Sequence, residues 1–152
     1  MVMPLDGQGK PKPYMNANYQ VSGPSLSPDG RWVAYASESG RNEINVQGFP
    51  DKRGKWSVSN EASNYPQWRA DGKELYWVRR RDDMIMAASV TLGAATVSIG
   101  QATPLFRLPV WSTGPFFQPA RDGQRFLVWE AEGGQQEPPM VVVRNWAARL
   151  GK

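Results

Sequence analysis

The sequence predicts an all-β chain built from about three repeats of one antiparallel unit. The dipeptide Asp-Gly recurs at Asp29, Asp71 and Asp122, so that the spacing is 42 and then 51 residues. An apolar run that can form a strand follows each dipeptide. The 152 residues include seven Trp, 15 Gly and 13 Pro, and aromatic residues favour strands whereas Gly and Pro favour turns.

The sequence around the three dipeptides repeats as well. The repeated segments are GPSLSPDGRWVAYAS, NYPQWRADGKELYWVRR and PFFQPARDGQRFLVWEAE, which begin at Gly23, Asn64 and Pro115. Each has an apolar or aromatic residue three to five positions before the Asp. In the first segment Trp32, Ala34 and Ala36 alternate with Val33 and Tyr35. Apolar residues on both faces indicate a strand that is buried on both sides.

A further strand is predicted after each of these runs. The segments are EINVQGF (43–49), MIMAASV (84–90) and MVVVRNW (140–146). A fourth strand is predicted for the first two repeats only, at KWSVSNE (55–61) and ATVSIGQ (95–101). The one candidate helical turn is NWAARLGK (145–152).

The predicted unit is therefore a four-stranded antiparallel meander with a period close to the roughly 40–50 residues of a propeller blade. A single blade cannot bury both faces, whereas neighbouring blades packed around an axis can. We predict a partial β-propeller. A flexible linker at 1–13 precedes a three-blade domain at 14–150, with blades at about 19–60, 61–107 and 108–150.

The segments SPDGRWVAYASESGRNEINVQGFP, GKWSVSNEASNYPQWRADGKELYWV and PLFRLP resemble the WD-repeat-like blades of TolB-type β-propellers. The likeness covers about 14–150 and is closest to the C-terminal propellers of bacterial proteins that include kinase-linked sensors. It implies a module for protein interaction or ligand sensing, because TolB itself contacts partner proteins in the periplasm. It assigns no binding residue, since no ligand motif is present to carry over.

Propellers of this type have six or more blades, so three blades would form a half-ring with apolar end faces. Three alternatives stay open. A second copy closes the ring, the chain is a fragment of a longer protein, or it is a stable arc with adapted ends. In the first alternative KPKPYMNA (10–17) would add the missing fourth strand to the last blade of a partner, within a two-fold dimer.

The composition limits the chemistry that is available. The chain has no His and no Cys, which removes Ser-His and Cys-His catalysis, thiolate chemistry and the commonest zinc ligands. We therefore expect no enzymatic activity, no catalytic residue, no metal and no cofactor. The net charge of +4 is modest and spread along the chain, so nucleic acid is not the expected partner.

No stretch approaches the ~20 apolar residues of a membrane helix, and no membrane partner is expected. The start, MVMPLDGQGKPKP, lacks the apolar segment of a signal peptide. We expect a cytoplasmic chain if it stands alone, or an extracytoplasmic one if it belongs to a larger exported protein. The predicted partner is another protein or a second copy.

The Asp-Gly dipeptides could be metal ligands or hairpin corners. Three copies that lie one blade apart cannot converge on one ion, and a calcium loop needs several acids at alternate positions. We therefore interpret all six residues as structural turns, with Asp accepting backbone N–H groups and Gly at positive φ. They are Asp29, Gly30, Asp71, Gly72, Asp122 and Gly123.

The candidate binding residues lie on the opposite edge of the blades, where second strands end and blades connect. They are Arg41, Asn42, Asn64, Tyr65, Arg79, Arg80 and Arg81, with the acidic EAEGGQQEPP (130–139) beside them. The segment RRRDD (79–83) is either a loop that contacts phosphate or nucleic acid, or a solvated hairpin. An acid/base role for Asp82 with Asp83 is disfavoured because neighbours on a loop point apart. Trp111 is the tryptophan most expected to be exposed, and it is a further candidate binding residue. The others are predicted to pack between blades: Trp32, Trp56, Trp68, Trp77, Trp129 and Trp146.

Overall fold

The computed structural model describes residues 1–2, 10–15, 18–40, 42–108, 117–129 and 140–144. These residues form twelve strands in three antiparallel sheets and contain no helix. Within them, accordingly, no helix is long and apolar enough to cross a membrane. The prediction of an all-β chain made of repeated antiparallel sheets is confirmed. The helical turn predicted at 145–152 lies outside the described residues.

The first blade contains four strands in sequence order. They are β1 (Val21–Leu26), β2 (Trp32–Glu38), β3 (Asn42–Gly48) and β4 (Trp56–Ser57). The third blade contains β10, β11 and β12, again in sequence order, at Phe117–Pro119, Arg125–Trp129 and Met140–Arg144. The first and third blades therefore form by hairpin pairing of neighbouring strands, which is the meander that the sequence predicts.

The second blade differs from the prediction in its outer strand. Its strands are β5 (Ser63–Trp68), β6 (Glu74–Arg79), β7 (Met84–Leu92), β8 (Val97–Ile99) and β9 (Thr103–Arg107). The segment around Val97 and Ile99 was expected to be the whole fourth strand, but β8 pairs only with the last three residues of β7 and β9 pairs with its first half. At nine residues β7 is long enough to pair with two short segments in series.

The first core of the protein lies between the first and second blades. Trp32, Ala34 and Ala36 of β2 share it with Leu75 and Trp77 of β6. The strand positions alternate as predicted, so that Val33 and Tyr35 point to the other side of the blade. Two buried aromatic-rich strands thus bind the two blades together by apolar burial.

The second core lies between the second and third blades. Tyr76 and Val78, which alternate with Leu75 and Trp77 on β6, pack there with Phe126 and Val128 of β11. The Tyr76 and Phe126 rings meet edge to face with their centroids 5.0 Å apart. Aromatic pairs of this geometry contribute about 0.5–1.5 kcal/mol beyond the burial of their area.

Each blade therefore has two distinct faces. The side chains four and six positions after the turn Asp point to the blade before, and we call this the preceding face. Those five and seven positions after it point to the blade that comes next, and we call this the following face. The preceding face of the second blade carries Leu75 and Trp77, and its following face carries Tyr76 and Val78.

On the first blade the preceding face is partly covered by the N-terminal segment, residues 10–15. Tyr14 is buried against Val33 and Tyr35, its hydroxyl donates a hydrogen bond to the carbonyl of Gly48, and its ring centroid lies 5.2 Å from that of Phe49. In the single chain the segment thus takes the position of a preceding blade.

The same segment was predicted to add a strand to the last blade of a partner. In the single chain Lys12 instead forms an isolated antiparallel bridge with Val2, and Tyr14 packs on the first blade. Pairing with a partner stays a prediction, and so do the predicted domain boundaries.

Candidate interaction surface

The hairpin register places most of the candidate binding residues at one edge of the blades. Ser63 pairs with Arg79, and the Arg80 N–H donates to the carbonyl of Ala62, where the first blade connects to the second. Asn42 begins β3 at the corresponding edge of the first blade. We call this edge the rim, and define it by Asn42, Asn64, Tyr65, Arg79, Arg80 and Arg81. Arg41 and Trp111 lie outside the described residues, so their predicted roles stay predictions.

Tyr65 is the aromatic residue of the rim. Its side chain is 37% exposed and its φ is +57°, at a bulge in the pairing of β5 with β6. The matched residue of the first blade is Gly23, with φ +58° at a corresponding bulge of β1. A left-handed conformation is uncommon for a bulky residue. The second blade therefore keeps a Tyr where the first blade has the residue that adopts this conformation without strain.

The three arginines of the rim divide into two roles. Arg79 donates two hydrogen bonds to the carboxylate of Asp82, at 2.8 and 2.7 Å, and lies 3.5 Å from Glu61. The side chain of Arg79 is only 13% exposed, whereas that of Arg81 is 67% exposed. Arg80 is exposed and makes no ion pair among the residues that the structure describes. Arg79 thus holds the loop, and Arg80 and Arg81 project into solvent.

The ion pair also sets the charge of the loop. The hydrogen bond from Arg79 holds the pKa of Asp82 below its usual range. Asp82 therefore stays ionised at neutral pH and neutralises Arg79. Because Glu61 lies 3.5 Å from both Arg79 and Arg81, the rim presents mixed charge rather than a continuous basic patch.

The Asp-Gly turns lie at the opposite edge of the blades, which we call the turn face. In the first turn the Gly30 N–H donates to the carbonyl of Ser27, and the Arg31 N–H donates to the Asp29 carboxylate at 3.1 Å. The other two turns make the same pair of bonds. Gly30, Gly72 and Gly123 have φ of +68°, +72° and +68°. This is the geometry of a hairpin corner.

The turn carboxylates are bound within their own turns. Arg69 donates two hydrogen bonds to Asp71, both at 2.8 Å, and they lower the pKa of Asp71 to about 2. Burial raises the pKa of Asp29, but bonds from the Ser27 hydroxyl and the Arg31 N–H outweigh it and leave the pKa below its ordinary value. Among the described residues no three acidic side chains are grouped so that they could hold a metal ion.

A cavity of about 780 Å³ lies on the turn face between the first and second blades. It is lined by Pro28 and Asp29 on one side and by Arg69, Asp71 and Glu74 on the other. Arg69 pairs with both carboxylates of that second side. The sequence does not indicate this cavity, because it forms between two turns that are about 40 residues apart and no single repeat contains it.

The tryptophans whose side chains are described serve packing, as predicted. Trp32, Trp68 and Trp77 are buried in the first core, and the partly buried Trp56 meets Trp32 edge to face with centroids 5.5 Å apart. The Trp68 Nε1–H donates to the carbonyl of Ser25 at 3.1 Å, which links the second blade to the first. The side chains of Trp129 and Trp146 are not among the described ones.

Comparison with known protein families finds no match, and comparison with curated protein sequences finds none either. Several solved structures are similar, and three of them illustrate the likeness. The β-propeller domain of Cps50 (Swd1) from Myceliophteria thermophila has 8% identity and a TM-score of 0.52, over 84% of this chain and 40% of that one. A luciferin-regenerating enzyme has 20% identity and a TM-score of 0.47, over 84% and 47%. TolB from Acinetobacter baumannii has 15% identity and a TM-score of 0.45, over 93% and 45%.

The likeness to the Cps50 domain shows the fold. Together with the three antiparallel sheets it confirms the predicted partial β-propeller. The predicted link to kinase-linked sensor proteins stays a prediction. The chain is an arc of β-propeller blades, and it spans 40–47% of the lengths of these solved structures.

Proposed function

We propose that this chain is a non-enzymatic β-propeller module that binds another protein through its rim. The observation that carries the proposal is Tyr65, which is 37% exposed at φ +57° whereas the matched position of the first blade is Gly23. A left-handed conformation costs a non-glycine residue about 1–2 kcal/mol. A Tyr kept at such a position is best explained by what its side chain contacts.

The surroundings of Tyr65 support a protein partner. Arg80 and Arg81 are exposed in the loop between β6 and β7, at the same edge of the blade, and the blade is packed from both sides. Tyr and Arg are the residue types that most often dominate protein–protein interfaces. The alternation of Arg81 with Glu61 and Asp82 favours a partner surface of mixed charge over a polyanion. Ligand sensing, which the resemblance to sensor propellers implies, would use the same rim.

The absence of enzymatic activity is part of the proposal. The sequence has neither His nor Cys, so the usual general base and the thiolate nucleophile are missing. The carboxylates on the turn face are bound by Arg69 and by backbone N–H groups. Among the described residues, the turn carboxylates Asp29, Asp71 and Asp122 thus already have structural partners.

The test begins with capture on the immobilised chain and identification of the bound protein by mass spectrometry. The purified partner is then titrated calorimetrically against the wild type, against Tyr65→Gly with Arg80→Glu, and against the turn-face control Lys73→Glu. We expect binding at least tenfold weaker for the rim variant and unchanged for the control. Equal weakening in both variants would contradict a role of the rim.

A second candidate is a half-propeller whose binding site exists only after ring closure, or an accessory part of a larger enzyme. It is favoured by one observation, that the chain spans 40% of the Cps50 propeller domain. The first form predicts a mass of twice 17.0 kDa by light scattering. A mass of 17.0 kDa at every concentration would contradict that form.

A further inference from the structure

The position three residues before each turn Asp faces the preceding blade. It is occupied by Leu26, Trp68 and Pro119 in the three blades. Trp68 is 7% exposed, in the core shared with the first blade, and Pro119 is buried as well. Leu26 is 53% exposed, although it occupies the same place in its blade. An apolar side chain that is buried in two blades is therefore left open in the first.

The turn glycines give a second, independent comparison. A Cβ on Gly72 would lie 3.6 Å from Pro28 of the first blade, and one on Gly123 would lie 2.7 Å from the Tyr76 hydroxyl of the second. A Cβ on Gly30 would meet nothing within 4 Å. The turn glycines of the second and third blades thus lie against the blade before, whereas the turn glycine of the first blade has open space in that position.

The N-terminal segment covers only part of this preceding face. Tyr14 shields Val33 and Tyr35, but an open groove of about 750 Å³ remains beside the segment, along the length of β1. Its lining is apolar and aromatic, and includes Tyr19, Val21, Pro24, Leu26 and Phe49. Grooves of this character are typical of association sites rather than of ordinary surface.

We propose that the third blade of a second copy docks on this groove, so that two copies close one ring through two equivalent joints. Such docking would continue the two interfaces already present between blades. Twice in this chain a preceding face packs on the following face of another blade. The following face of the third blade carries Leu127, because Phe126 and Val128 point to the second blade. Two copies would supply about six blades, within the roughly four to eight typical of propellers.

The N-terminal segment would compete with the incoming blade, since Tyr14 occupies part of the surface that a following face would contact. This inference rests on the half-propeller alternative and is independent of partner binding at the rim. It predicts effects of opposite sign. Changes to Leu26 weaken association, and changes to Tyr14 strengthen it.

The chain has no Cys, which makes cross-linking unambiguous. Leu26→Cys and Leu127→Cys variants are mixed and treated with a short bismaleimide, with Leu26→Cys plus Arg80→Cys as the matched control. We expect a product of twice 17.0 kDa in the first mixture, at least tenfold more abundant than in the control or in either variant alone. Absence of this product at the highest soluble concentration would overturn the proposal, as would efficient linkage of Leu26→Cys to itself.

Light scattering against concentration provides the second measurement, with far-ultraviolet circular dichroism to verify folding. We expect Leu26→Glu to raise the dissociation constant of the dimer at least tenfold and Tyr14→Ser to lower it. A monomer at all concentrations in both the wild type and Tyr14→Ser overturns the proposal. Rim binding and dimer formation are measured separately, because Arg80→Glu should affect partner binding but leave the mass measured by light scattering unchanged.

Discussion

Gly123 lies directly against Tyr76, because a Cβ on the glycine would come within 2.7 Å of the tyrosine hydroxyl oxygen. The turn of the third blade thus rests on the second strand of the second blade. A glycine is needed there for two separate reasons, its φ of +68° and the close approach.

Gly123→Ala and Gly30→Ala should therefore differ in cost. Both residues have φ of +68°, so each substitution pays about 1–2 kcal/mol for the left-handed conformation. Only Gly123→Ala also overpacks its surroundings, which adds about 1–3 kcal/mol. Urea unfolding of the two variants beside the wild type measures the difference, and equal destabilisation would mean that the contact with Tyr76 relaxes freely.

Tyr65 and Gly23 occupy matched bulges of β5 and β1, so opposite substitutions at the two positions can be compared. Tyr65→Gly should stabilise the protein by about 1 kcal/mol, because glycine adopts φ of +57° without strain. Gly23→Ala should destabilise it by a similar amount, since the space around its Cβ is ordinary and only the backbone is strained. Thermal unfolding of both variants tests this. If Tyr65→Gly also abolishes partner binding, the strain at Tyr65 serves function at the expense of stability.

Stability should be nearly independent of pH between about 5 and 8. The chain has no His and no Cys, and the Asp residues whose pKa is shifted titrate below that range. The pKa values of Asp29, Asp71 and Asp82 are lowered in the folded protein, that of Asp71 to about 2. Their contribution is thus complete above the unfolded carboxyl pKa of about 4 and is lost as the pH falls towards 2.

The unfolding temperature of the wild type should fall as the pH is lowered towards 2. Asp71→Asn should make this fall, the acid limb of the curve, less steep. The effect should stay below ~1 kcal/mol, because the Asp71 side chain is 43% exposed and water screens its pair with Arg69. Asp83→Asn is the control for net charge, as Asp83 is exposed and makes no ion pair among the described residues. An acid limb unchanged by Asp71→Asn would contradict the role of the turn carboxylate.

Substitutions of Tyr14 should lower the free energy of unfolding by an amount that grows with the part of the side chain removed. Tyr14→Phe removes the hydrogen bond to Gly48 and should cost about 1 kcal/mol, whereas Tyr14→Ser also uncovers Val33 and Tyr35 and should cost more. Burial raises the pKa of Tyr14 to about 12, and the charge of Asp51 adds to the rise. Because the folded pKa is raised, this contribution is present below pH 10 and is lost as the pH rises towards 12. Tyrosinate absorbance of the wild type and Tyr14→Phe checks the assignment.

The repeated hairpins could be predicted from the sequence because their determinants are local. Asp29 bonds to a backbone N–H two residues away, and Gly30 supplies positive φ in the same turn. The sequence does not indicate that the N-terminal segment packs on the first blade, because the Tyr14 hydroxyl bonds to the carbonyl of Gly48, which is 34 residues away. The split outer strand was missed for a similar reason, because the pairing of β9 depends on the length of β7.

The rim was predicted in outline but not in detail. Hairpin alternation places Asn64, Tyr65 and the arginines at one edge, and this follows from strand order alone. The run RRRDD does not reveal that Arg79, at the end of a strand, is bound by Asp82 while Arg80 and Arg81 stay exposed. Three identical side chains acquire different roles only through the fold of the loop.

The two joints between blades differ in the size of the side chains that meet there, and this makes the order of blades directional. The small Ala34 and Ala36 share a core with the bulky Trp77, whereas Tyr76 and Val78 share one with Phe126. A rearranged gene that placed two copies of the second blade in tandem would bring Trp77 towards Tyr76 and overfill the joint. Shuffling or duplicating blades would therefore require compensating changes in size, so each blade of this chain specifies its neighbour.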